Sequence, residues 1–388
     1  MRLRLLAAAF VAVLLGVVVA GHWYLARRLV LDSALPAPVG AALVALVAGL
    51  GAALVAAPIA EHRLGPARVR PLARVAATWL GVAFFLLVGL LAADGLLATA
   101  STAFAAPDAA VDGGTLVARL RAAAAVVFAA AAAAVGLASA RRPPAVRRRE
   151  IRLARWPPAL DGYRIVQVSD VHLGALLGRP FAEAVVARVN GLGADLVAIT
   201  GDLVDGAVHH LRDAAAPFGG LAARDGVFFV TGNHDYYSGA DAWIAELRRL
   251  GIRVLRNERV TLGRDGACFD LAGVDDRQAR LFGGDHGEDV PRALAGRDPG
   301  RAVVLLAHDP GTFRRAVRHD VDLQVSGHTH GGQLWPFGWL VRLAVPWVEG
   351  HHRAGASQLW VSRGTGFWGP PMRLRAPAEI SELVLRPA

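Results

Sequence analysis

The chain has 388 residues, enough for two domains and for a full core in one of them. Of its 42 basic residues, 15 lie in the first 150 positions against six acidic ones, so almost all of the formal net charge of +10 belongs there and the remainder is close to neutral. That distribution argues against a nucleic-acid-binding stripe, and the single Cys268 excludes both a disulfide framework within the chain and a cysteine zinc site.

Four apolar stretches come first, running from Leu5 to Leu25, Pro36 to Ala60, Ala73 to Ala98 and Ala122 to Ala140. Each approaches the roughly 20 residues that cross a bilayer as a helix. The Ala-rich fourth also reads as a buried helix. The first, preceded by Arg2 and Arg4, also reads as a signal sequence, but further spans follow it and no persuasive cleavage site does. With four spans, eleven arginines share one side: Arg2 and Arg4, then Arg63, Arg68, Arg70 and Arg74, then Arg141, Arg142, Arg147, Arg148 and Arg149. The other side carries Arg27, Arg28 and a loop with Asp108 and Asp112, with Arg119 and Arg121 at the border. Positive loops stay cytoplasmic, so a multi-pass cell-membrane protein with a cytoplasmic C-terminal domain is expected. Asp94, followed by Gly95, is expected at the end of the third span. Paired prolines and clustered arginines make 141–155 a linker between a membrane region over 1–140 and a domain over 156–388.

From Tyr163 onward short apolar strands alternate with helical segments: "RIVQVSD", "DLVAITGD" and "GVFFVTGNHD" are strands, and "RPFAEAVVARVNGL" and "GADAWIAELRRLG" have helical periodicity. Further strands are expected at Arg253 to Leu255, Phe269 to Val274, Val303 to Ala307, Leu323 to Val325, Leu359 to Ser362 and Ile380 to Leu385. The alternation predicts a layered α/β fold with polar residues gathered where strands end.

Those ends carry metal-ligand chemistry: Asp170 and His172 in "SDVH", Asp202 in "GDLVDG", Asn233 to Asp235 in "GNHD", His308 in "AHDP", and His328 and His330 in "SGHTH". Any one block alone is more often a turn. Their joint occurrence, repeatedly beside glycine, is hard to explain structurally. Carboxylate, imidazole and amide oxygen without thiolate suit Mn²⁺, Fe²⁺ or Zn²⁺. Seven donors exceed one tetrahedral ion, so two divalent ions about 3.5 to 4 Å apart and sharing a carboxylate are expected.

The ordered blocks over Arg164 to Gln333 resemble the calcineurin-like metallophosphoesterase superfamily, and the tail "QLWVSRGTGFWGPPMRLRAPAEI" resembles the end of its YkuE/YaeI-type branch, whose members often carry N-terminal hydrophobic segments. The resemblance implies a layered β-sandwich flanked by helices, and hydrolysis of a phosphomonoester or phosphodiester by a metal-bridging hydroxide. It also implies that Asp170, His172 and His330 hold one metal, that Asp202 bridges, and that Asn233, His308 and His328 complete the other. His234 would face the substrate as proton donor, with Asp235 orienting its ring. Phosphoprotein phosphatases differ: "GDLVDG" lacks their Arg, and Asp235 stands where they carry Glu. Asp205 reads equally as a hydrogen-bond acceptor behind the ligands or as a helix cap.

Trp335, Phe337, Trp339 and Trp347 crowd one short segment after the last block. They read either as cover for the sheet or as a platform at a lipid interface, which would suit an amphiphilic or lipid-linked phosphoester. His209, His210, His286, His351 and His352 match no block. Two rival functions remain, a nuclease, disfavoured by the neutral second half, and a catalytically silent membrane sensor or scaffold.

Overall fold

The computed structural model describes residues 2–104 and 111–388. The acidic loop residue Asp108 lies outside the described residues. The chain divides into two compact units: one runs to Ala138 and takes in Gly369–Met372, and the other comprises Ser139–Trp368 and Arg373–Ala388.

The first unit is built from helices α1 (Arg2–Ala26, continued by a wider turn over Arg27–Leu31), α2 (Ala37–Leu64), α3 (Pro66–Phe104) and α4 (Val111–Ala140). All four are long and apolar enough to cross a membrane. Gly65, at φ 81°, breaks α2 from α3, and Pro66 opens the next helix where its missing N–H costs nothing. The alanines of α4 are a packing face: Ala118, Ala122, Ala125, Ala129 and Ala132 are buried at helical spacing. A Cβ on Gly89 of α3 would lie 3.3 Å from the Ala125 Cα, so small residues here let two backbones approach closely.

Asp94 departs from its expected place. It sits well inside α3, which continues to Phe104, and it accepts from Tyr24 Oη at 2.6 Å and pairs with Arg28 at 3.0 Å and Arg121 at 3.1 Å. Asp32 takes the same two arginines at 3.0 and 3.1 Å. Charges in an apolar bundle persist only when paired, and three helices here contribute to one ion-pair network.

The second unit holds two six-stranded sheets. The first has the order β1 (Ala145–Leu153), β12 (Glu379–Pro387), β2 (Tyr163–Val168), β3 (Leu196–Thr200), β4 (Val227–Val230), β5 (Arg253–Val254). The second has the order β10 (Gly350–Ala354), β11 (Ser357–Val361), β9 (Leu323–Ser326), β8 (Val303–Leu306), β7 (Ala267–Gly273), β6 (Glu258–Arg264). Their facing surfaces share one core, in which Ile165, Ala198 and Phe228 of the first sheet meet Phe269, Leu306 and Trp360 of the second. On the outer face of the first sheet, helices α5 (Arg179–Asn190), α6 (Val208–Ala215) and α8 (Ala240–Arg249) pack Val185, Leu211, Trp243 and Leu247; α7 (Asn233–Tyr237) precedes α8 at the sheet edge. Phe313 and Val290 help cover the other outer face. The result is the expected helix-flanked sandwich.

The linker expected over 141–155 is corrected, because most of it is strand β1. It lies parallel to β12 in the register Ala145↔Glu379 to Leu153↔Pro387. An edge strand needs an apolar face only where it meets the core: Ile151 and Leu153 point in and are buried, while Arg148, Arg149 and Glu150 are exposed. Arg147 and Arg148 reach Glu379 and Glu382 of β12 at 3.5 and 3.7 Å.

Candidate metal centre

The pairs β2–β3, β3–β4 and β8–β9 are each parallel, so the ligand blocks after these strands gather at the carboxyl ends of the sheets. Tight turns then aim the side chains. Asp170, His172, Asp202, His328 and His330 all have positive φ, between 51° and 74°. Such backbone costs on the order of 1–3 kcal/mol per residue and persists where surrounding structure dictates it. Glycine explains how the turns fit: a Cβ on Gly232 would strike the Asp202 carboxylate, and one on Gly327 would strike Ser169 Oγ and Asp170 Oδ2.

Two groups of converging ligands result. Asp170, His172 and His330 bring one ligand atom each within 4.8 Å of one another, as do Asp202, His308 and His328. In the first, His172 Nε2 and His330 Nε2 stand 3.0 Å apart; in the second, His308 Nε2 and His328 Nδ1 stand 3.1 Å apart. The remaining ring nitrogens settle the tautomers. His308 Nδ1–H donates to the Thr200 carbonyl at 2.7 Å and His172 Nδ1–H to Asp205 Oδ1 at 2.9 Å, which leaves both Nε2 atoms as lone-pair donors toward the centre. Asp202 joins the groups: its Oδ2 is 3.1 Å from His308 Nε2 and 3.9 Å from His172 Nε2, while its Oδ1 accepts the His234 backbone N–H at 2.8 Å. Asn233 Oδ1 is buried without a hydrogen-bond partner, an arrangement that a cation would satisfy. Carboxylate, imidazole and amide donors without a thiolate therefore fit a pair of divalent ions.

All nine residues expected at the site lie at this edge, but one role changes. Asp235 does not touch the His234 ring; it accepts the backbone N–H groups of Gly232, Asp202 and Leu203 at 2.8, 2.9 and 3.0 Å and ties two ligand loops together. The residue that orients His234 is Asp205, whose Oδ1 takes His234 Nδ1 at 2.8 Å as well as His172 Nδ1. The two aspartates lie 30 residues apart, in the separate loops that follow β3 and β4, so position after Gly-Asn-His does not decide which of them meets the imidazole. The open reading of Asp205 thus resolves to a hydrogen-bond acceptor.

The electrostatics follow this wiring. Burial pushes the Asp202 carboxyl up, but His308 and the neighbouring imidazoles hold it well below the usual carboxylate range. Burial, reinforced by the charge of Asp202, raises Asp235 to about 7 against its backbone donors. Burial disfavours charge on His234, yet the bond to Asp205 and the nearby Asp202 raise it to about 9. Burial, with His172 and Arg373 alongside, keeps His330 neutral, the form that ligates.

Arg373 escaped sequence reasoning. It is fully buried and donates to the carbonyls of Gly366, Arg363 and Ala376, with its Nη2 3.2 Å from His330 Nδ1. No spacing in "PMRLR" marks such a residue. The aromatic segment divides: Trp347 packs on Phe313, with ring centres 5.4 Å apart, and so covers the sheet, whereas Trp335, Phe337 and Trp339 are exposed. His209, His210, His286, His351 and His352 join none of the ligand groups found among the described residues.

Comparison with known proteins agrees with this geometry. The profile of the family described as calcineurin-like phosphoesterase matches residues 163–332. The chain is 41% identical over 264 residues to the transmembrane protein with metallophosphoesterase domain of Bos taurus, an alignment that covers 65% of this chain and 59% of that protein. It is 36% identical over 219 residues to an uncharacterized metallophosphoesterase of Aquifex aeolicus, covering 56% of this chain and 82% of the relative. It is 32% identical over 245 residues to the uncharacterized metallophosphoesterase YkuE of Bacillus subtilis, covering 59% and 81%. The chain thus spans about three fifths of the length of the vertebrate relatives it matches.

Proposed function

Because the chain belongs to the calcineurin-like metallophosphoesterase family, we propose that it is a membrane-anchored, binuclear metal-dependent phosphoesterase acting on an amphiphilic phosphomonoester or phosphodiester. Asp170, His172 and His330 would hold one ion and Asn233, His308 and His328 the other, with Asp202 shared. The observation that carries this reading is the Asp202 carboxylate standing between imidazoles of both groups. When bound, the two ions supply the positive charge that fixes phosphoryl oxygens and activates a water. The protein itself contributes the rest. Asp205 holds His234 with Nδ1 engaged, so Nε2 is the atom that presents a proton to a leaving oxygen. Asp235 fixes the loops that carry Asp202 and Asn233.

Four spans with the arginine-rich segments on the cytoplasmic side would anchor the catalytic unit there. The lipid-facing reading draws support from the helix Gly338–Ala344, which buries none of its residues; Leu340 and Leu343, like Trp335, Phe337 and Trp339 beside them, are exposed. Tryptophan in such a patch suits the headgroup layer. Mn²⁺ is the ion to test first.

The test is hydrolysis of bis-p-nitrophenyl phosphate by the full chain in detergent, with Mn²⁺ and with EDTA, compared with Asp202→Ala. We expect turnover with Mn²⁺ that EDTA abolishes and the substitution removes. Turnover that survives Asp202→Ala refutes the site, and a metal-loaded chain inert to all phosphoesters favours the sensor or scaffold reading. Equal rates on soluble and lipid phosphodiesters, unchanged by Trp339→Ala, would remove the amphiphilic-substrate proposal.

A further inference from the structure

Two aromatic rings flank His234, and neither belongs to the ligand set. The Tyr237 ring centre lies 5.3 Å from that of His234 and the Trp368 ring centre 5.4 Å, both in edge-to-face arrangements. Both side chains are otherwise open to solvent, Tyr237 at 56% and Trp368 at 52% exposure. Large apolar rings left this exposed contribute little to the core, yet both are anchored. Tyr237 Oη donates to Gln278 Oε1 at 2.6 Å, and Gln278 is itself fixed by its backbone N–H on Asp276 Oδ1 at 2.7 Å. Trp368 is clamped through its backbone: its N–H donates to Gln333 Oε1 at 3.0 Å and its carbonyl accepts from Gln333 Nε2 at 2.8 Å. Gln333 follows the "GHTHGG" turn directly, so the clamp ties the tryptophan to the loop that carries His328 and His330.

We propose that Tyr237 and Trp368 are the walls of a leaving-group subsite that takes an alcohol or phenol with a planar or extended apolar body. This rests on His234 being the proton donor. A departing oxygen within hydrogen-bond reach of His234 Nε2 puts its attached carbon beside the two rings that pack against that imidazole. The phosphorus–oxygen bond to the leaving group breaks, the oxygen of a water bonds to phosphorus, and the departing oxygen takes the proton from His234 Nε2 to leave as a neutral alcohol. The proton lost by the water restores the histidine through solvent. Edge and face contacts from two aromatic rings then favour a leaving group that buries apolar surface between them.

Two diesters separate this subsite from its alternative. Bis-p-nitrophenyl phosphate and methyl p-nitrophenyl phosphate share the same leaving phenol and differ in the ester group that stays on phosphorus. Full-length protein in detergent with Mn²⁺ is assayed on both, as the parent and as Trp368→Ala, Tyr237→Ala and Trp368→Phe. Each alanine variant should lower kcat/KM on both diesters by about five- to tenfold, and Trp368→Phe should recover most of the loss. Metal stoichiometry should stay at the parental value, because neither side chain is a ligand. A loss confined to the bis-aryl diester would overturn the proposal by assigning the rings to the retained group. Rates within twofold of the parent on both diesters would overturn it outright while leaving the phosphoesterase reading intact. A parent without Mn²⁺-dependent turnover of either diester would defeat that reading and the subsite with it.

Discussion

Asp205→Asn is the sharpest probe of how the centre is wired. One carboxylate oxygen accepts both His172 Nδ1–H at 2.9 Å and His234 Nδ1–H at 2.8 Å. An asparagine oxygen can keep both contacts in the same shape but without the charge. Charge-assisted hydrogen bonds are about twice as strong as neutral ones, so each bond loses roughly 1 kcal/mol. Two bonds give about 2 kcal/mol, which corresponds to about a 30-fold fall in kcat/KM. The variant should fold normally, since no backbone group depends on Asp205. Its pH profile should also shift. Burial disfavours charge on His234, and the bond to Asp205 is foremost among the effects that nevertheless raise it to about 9. A raised histidine is protonated below that value and loses its proton as pH climbs through it, so removing the carboxylate moves the basic limb of activity to lower pH. The assay is kcat/KM for bis-p-nitrophenyl phosphate with saturating Mn²⁺ across the pH range, with a thermal melt as control. Activity within twofold of the parent and an unmoved basic limb would refute the reasoning.

Asp235→Asn should behave oppositely, because an amide group would press its own hydrogens against backbone N–H donors now satisfied by a carboxylate. We expect a stability loss of about 1–3 kcal/mol, read by denaturant midpoint, and a parental midpoint would contradict it. Gly327→Ala places a methyl group against Ser169 and Asp170; overpacking of about 1–3 kcal/mol and a weakened Asp170 site should appear as a lower melting temperature and a reduced Mn²⁺ content, and a variant that binds the full complement counts against the close fit. His328→Ala and His330→Ala should each lose a different ion, visible in anomalous difference maps of the two variants, and loss of the same ion from both would disprove the division. Asp94→Ala should destabilise the helical unit in detergent by about 1–3 kcal/mol, because Arg28 and Arg121 each lose one of two carboxylate partners and keep only Asp32, with partial rescue by Arg121→Ala; an unchanged melt would show the pairs to be dispensable.

The strands that carry ligands were legible because each is a short apolar run that stops at a polar donor, with a glycine just before that donor after β3, β4 and β9. β2, β3, β4, β8 and β9 are buried along nearly their whole length, and such runs stand out from their surroundings. β1, β6 and β10 were not legible for the converse reason. All three are outer strands with exposed positions, and the arginines of β1 in particular mask its two inward residues. At the site, ligand identity could be read from residue type and strand position, but hydrogen-bond partners could not. Asp205 and Asp235 are equally plausible acceptors on paper, and only the turn after β3 decides which of them faces the imidazoles. Arg373 belongs to the same class, a residue defined by carbonyls that converge from segments far apart in the chain. The position of Asp94 within α3 was obscured by Gly95, which reads as a helix stop but continues the helix where apolar neighbours sustain it.

The placement of β12 has a consequence for how the protein is made. It lies inside the first sheet, between β1 and β2, although every other described strand precedes it in the chain. While the ribosome is still producing the segments before Glu379, β1 has no neighbour and β2 has one side bare, with Ile151, Leu153 and Ile165 unable to reach full burial. The apolar helices of the first unit have all been made by then, but the sandwich must wait as an open half-sheet with unpaired edges, the condition in which chains adhere to one another. Completion of the sandwich is therefore a late, long-range event, and slow translation or premature stops ahead of residue 379 should be far more damaging to this protein than to one whose sheet grows in chain order.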